Sequence, residues 1–486
     1  MNRVRFPRNA IRLMILALLL SGALAVFVNN SRASYQGTPQ RLQWIESGAG
    51  GVLPAESYYD NALGKLGVLN ASGPVEMKGH PFFEALGINP RACVTCHQPA
   101  NAMSVSAEAI RERWRVTKGE DPIFAAVDGS NNPKLPQGLE SSHSLLLNRG
   151  LFRVGLQWPP RDDKGKVVQP EFTIEVVRDP TGVNLDDTYG LKGVNPTVSV
   201  FRRPRPAANL KYVLSPDDTF NIKTGTLMAI DPDTGKPASM NLMADARHLN
   251  LRQQAFGAYK DHQEGRQGIT TENMRKIVDF ESQVYMGQGF DRWGKSLVEA
   301  GGPIGLGPRA MAEGKLHVLA NNNRDPVFRL FDAWKKSDAM PKDLTAEQRE
   351  FRASVARGND VFMFRQFWIR DAAHINSIGL GNPIKRTCST CHNTQMTGQD
   401  LAPGWVDVGT TNYPTWTEPP VFSDKAELPV FKCTCSKDAL PHPYLGRVIY
   451  TNDPGRALIT GKCADIGSIV MGQFRGLAAR APYFSN

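Results

Sequence analysis

The chain has 486 residues, 41% hydrophobic and 21% charged, with a formal net charge of +10. That length exceeds what one hydrophobic core usually organises, and the composition excludes both a disordered chain and a multi-span membrane protein. No block of Lys and Arg interleaved with aromatics occurs, so the positive charge does not point to nucleic acid.

In chain order, Arg3, Arg5, Arg8 and Arg12 precede an apolar run at Leu13–Val28, and Ser31-Arg32-Ala33 has the small-x-small form of a cleavage site. Residues 1–33 therefore read as a signal peptide that exports the chain to the periplasm. An uncleaved N-terminal membrane anchor is the alternative reading. Cleavage lowers the formal charge by those four arginines and Arg32. Gly79–Leu86 reads as a short helical approach to the pentad Cys93-Val94-Thr95-Cys96-His97. Between about 150 and 240, alternation at Phe172–Val177 and Thr197–Val200 predicts strands, with turns at Ser215–Asp218 and Asp231–Gly235. Met274, Ile277, Val278, Val284 and Tyr285 place a helix over Thr271–Tyr285. The glycine-rich Ala300–Lys315 reads as a linker. Thr345 and Gln348 form a capping box that opens a helix running toward Phe362, ahead of a second pentad, Cys388-Ser389-Thr390-Cys391-His392.

The pentad spacing has a chemical reason. Two thiols three positions apart on one helical turn reach both vinyl groups of a haem, and the next residue offers an imidazole to the iron. The chain is thus expected to carry two covalent haems c, with Cys93, Cys96, Cys388 and Cys391 as thioethers and His97 and His392 as iron ligands. The competing reading is a zinc site built from C-x-x-C pairs. Three further cysteines lie near the end, and an oxidising compartment favours a disulfide among them. Cys433 and Cys435 are too close to pair. Cys435–Cys463 is the expected bridge, with Cys433–Cys463 as the alternative. His80, His143, His248, His262, His317, His374 and His442 are candidate sixth ligands, His143 and His248 foremost.

Further motifs surround the pentads: Ala244-Asp245-Ala246-Arg247, Leu251, Gln254-Ala255 and Glu264; a looser Arg203–Asn209 segment; then Asp453-Pro454-Gly455-Arg456, Thr460-Gly461, Phe474-Arg475-Gly476-Leu477 and Ala481-Pro482-Tyr483-Phe484. With these the chain resembles the bacterial di-haem cytochrome c peroxidase family, which includes the methylamine-utilisation enzyme MauG. The resemblance covers roughly 75–120, 203–290 and 345–486. It implies a mainly α fold of two cytochrome c-like domains, 34–290 with a β-rich insertion at about 150–240, and 341–486, joined by a linker at 291–340. It further implies peroxidase-type reduction of hydrogen peroxide with electrons from a small cytochrome c or cupredoxin. Glu264, helped by Gln254, would handle protons at the first haem; a carboxylate in an enclosed pocket can take a proton from one oxygen and return it to the other. Arg247 and Arg475 would bind propionates. Calcium is a further cofactor the resemblance admits.

Two other functions stay open. One is MauG-like oxidation of a protein or organic substrate through a high-valent haem; the other is a non-catalytic electron-transfer cytochrome. The family's inter-haem Trp is Ala244 here, and a later family Pro is Ala258, so electron exchange needs another intermediary, with Trp114, Trp158, Trp334 and Trp368 as candidates. The family also continues past A-P-Y-F into a helix that carries the second haem's sixth ligand. The sequence given reaches Asn486, so either it is a fragment or another group, with Met471 nearest, fills that position. On this reading the second haem is weakly ligated on its distal side.

Overall fold

The computed structural model describes residues 43–483 apart from 163, 215–241, 315–329, 337, 339, 375, 379–380, 391, 393–404 and 414–426. The signal or anchor stretch, both turn-rich segments named above and Cys391 lie outside the described residues. No described helix is long and apolar enough to cross a membrane.

Glu56–Asn61 (β1) and Gly64–Asn70 (β2) form a hairpin. Ala107–Thr117 (α1) follows, its start capped by Ser106, whose hydroxyl accepts from Ala109 N at 3.0 Å. Phe152–Gln157 (β3), Phe172–Arg178 (β4) and Thr197–Arg202 (β5) come next. Leu251–His262 (α2) and Thr271–Gln283 (α3) begin at Asn250 and Thr270, whose side chains accept from Gln253 N and Asn273 N. α3 runs straight into Val284–Phe290 (β6). Gly307–Glu313 (α4) and Ala346–Phe364 (α5) follow; Thr345 and Gln348 close the capping box on α5. Val430–Cys435 (β7) and Val448–Thr451 (β8) are the last long strands.

The expectation of a mainly α fold built from cytochrome c-like domains does not hold. Of the described residues 30% are helical and 21% are in strands, and the described strands spread over six small sheets. β2 is the centre of an antiparallel sheet between β1 and β6, with Val68 opposite Met286. β3 pairs with β5. β7 lies between β4 and β8, with Cys433 opposite both Ile174 and Ile449. The stretch read as an insertion in the first domain thus shares a sheet with residues more than 250 positions later. The reading failed because β2 is buried on both faces and shows no alternation. In β6, Val284 and Tyr285 extend the helical spacing of α3 and masked the change of structure.

Leu42–Asn486 forms one compact unit. The segment read as a linker holds α4, which packs on β2 and β6; Tyr212 Oη donates to Met311 O at 2.7 Å. A Cβ on Gly67 would fall 2.6 Å from Pro308 Cγ, so glycine in β2 is what lets α4 approach. Gly79–Leu86 forms turns rather than a helix. Its Phe82 and Phe83 are fully buried with Leu66, Val68, Val94, Met103, Phe280 and Met286, and this core cluster carries the first pentad.

Candidate haem-binding site

Cys93–Cys96 forms one helical turn, and the hydroxyl of Thr95 accepts from Ala92 N at 3.0 Å to open it. His97 N closes on Cys93 O at 3.1 Å. The side chain is fixed separately: His97 Nδ1 meets Met103 O at 2.9 Å. A carbonyl only accepts, so Nδ1 carries the proton and Nε2 keeps the lone pair that an iron needs. The carbonyl gets there because Ala102 and Met103 both adopt positive φ, 60° and 53°, a conformation L-residues rarely hold. Burial is the main cause that pushes His97 down to about 4, so the ring is neutral.

Burial also pushes both thiols up, Cys96 to about 12, so neither is a thiolate at neutral pH. Zinc ligation requires thiolates and about four ligands. Among the described residues no group of three or more His, Cys, Asp or Glu side chains is arranged to hold a metal ion. Two half-buried thiols on one turn beside an oriented imidazole and apolar walls fit thioether attachment of haem.

The turn after α2 lies against this pentad. Gln263 accepts from Leu86 N at 3.0 Å and places its Nε2 3.8 Å from Cys93 Sγ. Glu264 has φ of 53°, is exposed, and its Oε2 accepts from Asn89 Nδ2 at 3.0 Å. The structure therefore brings Glu264 to the edge of the first pentad, in open solvent rather than in an enclosed pocket. Gln254 is half-buried in α2, and among the described residues no hydrogen bond joins it to Glu264 or to the pentad.

Three residues beside the pentad, Asp128, Arg91 and Glu281, escaped the sequence reading. Asp128 and Arg91 form a buried ion pair, and His262 Nδ1 meets Asp128 Oδ2 at 2.6 Å. Glu281 on α3 is 4% exposed with Oε2 unpartnered. Burial pushes its carboxyl up to about 8, and it is close enough to Cys93 to act on that thiol. An acid on an amphipathic helix gives no sign in the sequence that it faces inward.

The motif stretches converge elsewhere, in a buried clamp. Arg202 Nε and Nη2 donate to both oxygens of Asp453 at 2.7 and 2.9 Å, and Nη1 donates to Asp245. Arg247 Nη1 donates to the same Asp245 oxygen at 2.8 Å. Arg456 Nη1 donates to the carbonyls of Asp245 and Ala246, and its guanidinium lies 3.8 Å from the Trp405 ring centroid. Trp405 pairs with Val470, whose N donates to Ala244 O at 2.8 Å. So Arg247 is engaged by a protein carboxylate, and the other expected propionate ligand, Arg475, donates to Gly305 O at 3.1 Å.

At the second pentad, Cys388–Thr390 forms a 3-10 turn and His392 N closes on Cys388 O at 3.0 Å, the same closure as in the first. The Phe474 ring lies 4.4 Å from the His392 ring, tilted by 31°. Met471 is half-buried, and its carbonyl accepts from Arg205. Of the candidate sixth ligands, His143 is fully buried with its ring nitrogens at the carbonyls of Gly129 and Gln137, 2.7 and 2.8 Å away, which is a structural role. His248 packs at Gly257 with Nε2 unpartnered. Cys435 and Cys463 are joined by a disulfide with Cα atoms 5.8 Å apart, and Cys433 is a buried free thiol. No protein-family model, curated protein or solved structure matches the chain.

Proposed function

We propose that the protein is an exported di-haem c-type oxidoreductase that reduces hydrogen peroxide with electrons from a small redox protein. The observation that carries this reading is the first pentad: two half-buried thiols on one turn, beside an imidazole whose Nδ1 is committed to Met103 O. The matching backbone closure at Cys388 and His392 supports a second attachment site. Cys93, Cys96, Cys388 and Cys391 would hold the two haems and His97 and His392 would ligate iron. Bound haem supplies peroxide binding and one-electron chemistry. The net reaction takes two electrons and two protons per peroxide and yields two waters. Glu264, exposed and held by Asn89, would pass protons from solvent to the first centre.

Attachment is tested first. Denaturing gels should retain haem stain, and the mass should exceed that of the polypeptide by two haems. Cys388→Ala should lose covalent attachment at the second pentad only; a variant with full covalent haem would remove that site. Glu264→Gln should slow the reaction with peroxide at least about 100-fold with both haems in place. An unchanged rate would return Glu264 to an ordinary surface role. Peroxide-dependent oxidation of a reduced cytochrome or cupredoxin separates this function from MauG-like oxidation of an organic substrate. Two low-spin ferric haems with no peroxide reaction would instead mark an electron carrier.

A further inference from the structure

His262 stands two residues before Glu264 and is held in a different way. Asn89 Nδ2 donates to His262 O at 3.0 Å as well as to Glu264, which pins the turn. A Cβ on Gly87 would fall 1.7 Å from Gln263 O, so the turn sits hard against 86–89, the approach to the pentad. The ring is oriented by Asp128, which is 4% exposed and is itself clamped by Arg91, 1% exposed. Arg91 spends its remaining donors on Pro122 O and Ile123 O, both at 2.7 Å. The next residue on the turn, Gln263, places its Nε2 3.8 Å from Cys93 Sγ, so the turn borders the pentad.

The tautomer follows from these contacts. Burial works against an ionised Asp128, but Arg91 and His262 outweigh it and hold the carboxyl below its ordinary range. An ionised carboxylate only accepts, so His262 Nδ1 donates its proton to Asp128, and Nε2 is the nitrogen left to exchange a proton. The side chain is 33% exposed, which leaves that nitrogen reachable. A carboxylate-oriented imidazole with an open Nε2 is a positioned general base.

We propose that His262 Nε2 is the proton-transfer group for the peroxide reaction at the first pentad. The inference rests on the function proposed above and deepens it. Nε2 takes the proton from the oxygen that binds and delivers it to the oxygen that leaves as water. The proton that Nε2 moves is the peroxide's own; the two protons that the net reaction consumes would enter by way of Glu264, and bound haem would pass on the two electrons from the small redox protein that break the O–O bond. Asp128 is a positioning residue in this scheme, since it acts through the imidazole.

The holoprotein variants His262→Gln and Asp128→Asn test this. Both should keep two covalent haems and the wild-type ferric optical and spin-resonance spectra, yet react with hydrogen peroxide at least about 100-fold more slowly. Asp128→Asn offers Nδ1 an amide donor, which forces the proton onto Nε2 and removes the base without removing the ring. A wild-type rate in His262→Gln overturns the proposal. So does a change of first-haem spin state in that variant, which would make His262 an iron ligand. If Asp128→Asn fails to fold, His262→Gln alone decides. Absence of covalent haem or of peroxide reaction in the wild-type protein would instead overturn the proposed function, and with it this role.

Discussion

Arg202→Met should destabilise the folded protein by roughly 3–5 kcal/mol, the usual cost of removing one partner from a buried charge group. Asp245 and Asp453 are 0% and 4% exposed. Burial alone would expel their charges; Arg247 and Arg202 outweigh it at Asp245 and hold that carboxyl far below its ordinary range. Without Arg202, Asp453 loses its bidentate partner and Asp245 keeps only Arg247. The pH dependence has a definite sign. A carboxyl whose folded pKa is depressed contributes stability that is present above its unfolded pKa, about 4, and is lost as pH falls below it. The gap between wild type and variant should therefore be full at neutral pH and narrow below about pH 4. Denaturant midpoints at several pH values give both quantities, and a loss under 1 kcal/mol at pH 7 would show that the clamp does not hold the motif segments together.

Glu281→Gln should have the opposite effect, stabilising the protein, and increasingly so as pH rises. The unfolded carboxyl loses its proton near 4.5, whereas burial keeps the folded one protonated to about 8. Between those values the folded state binds more protons than the unfolded state, so raising the pH favours unfolding. At about 1.4 kcal/mol per unit, the difference accumulated by pH 8 is on the order of 4 kcal/mol. Glutamine has nearly the same shape and cannot ionise, so it removes this dependence. Denaturation curves of both proteins at pH 5 and pH 8 check it: a stability gap that does not widen with pH would mean that Glu281 is ionised in the folded protein.

Local signals in the sequence were sound where a few consecutive residues decide the structure. The capping box at Thr345 and Gln348 starts a helix, and alternation at Phe172 and Thr197 marks strands. What could not be read is which segments meet. β4 pairs with β7 across the whole chain, and nothing in either strand names its partner. At the site the pentads were plain, because the C-x-x-C-H spacing lies within five neighbouring residues. The groups around the first one were hidden, because His262 and Asp128 are 134 residues apart and only folding joins them. The motif residues Asp245, Arg247 and Asp453 were legible as a pattern, yet their contacts are with one another through Arg202, a residue outside the pattern.

The first pentad is covered late. Asn101 Nδ2 donates to Ala479 O across 378 positions, Ala107 N donates to Ala481 O, and Arg203 Nη2 donates to Arg480 O. A chain that crosses a membrane N-terminus first delivers Cys93 and Cys96 long before the segment that closes over their surroundings has emerged. Under the function proposed above, the two thiols would stand open to haem during that interval, and residues 470–483 would close over their surroundings afterwards. The order of translocation, rather than any moving part of the finished protein, would then set when haem can enter.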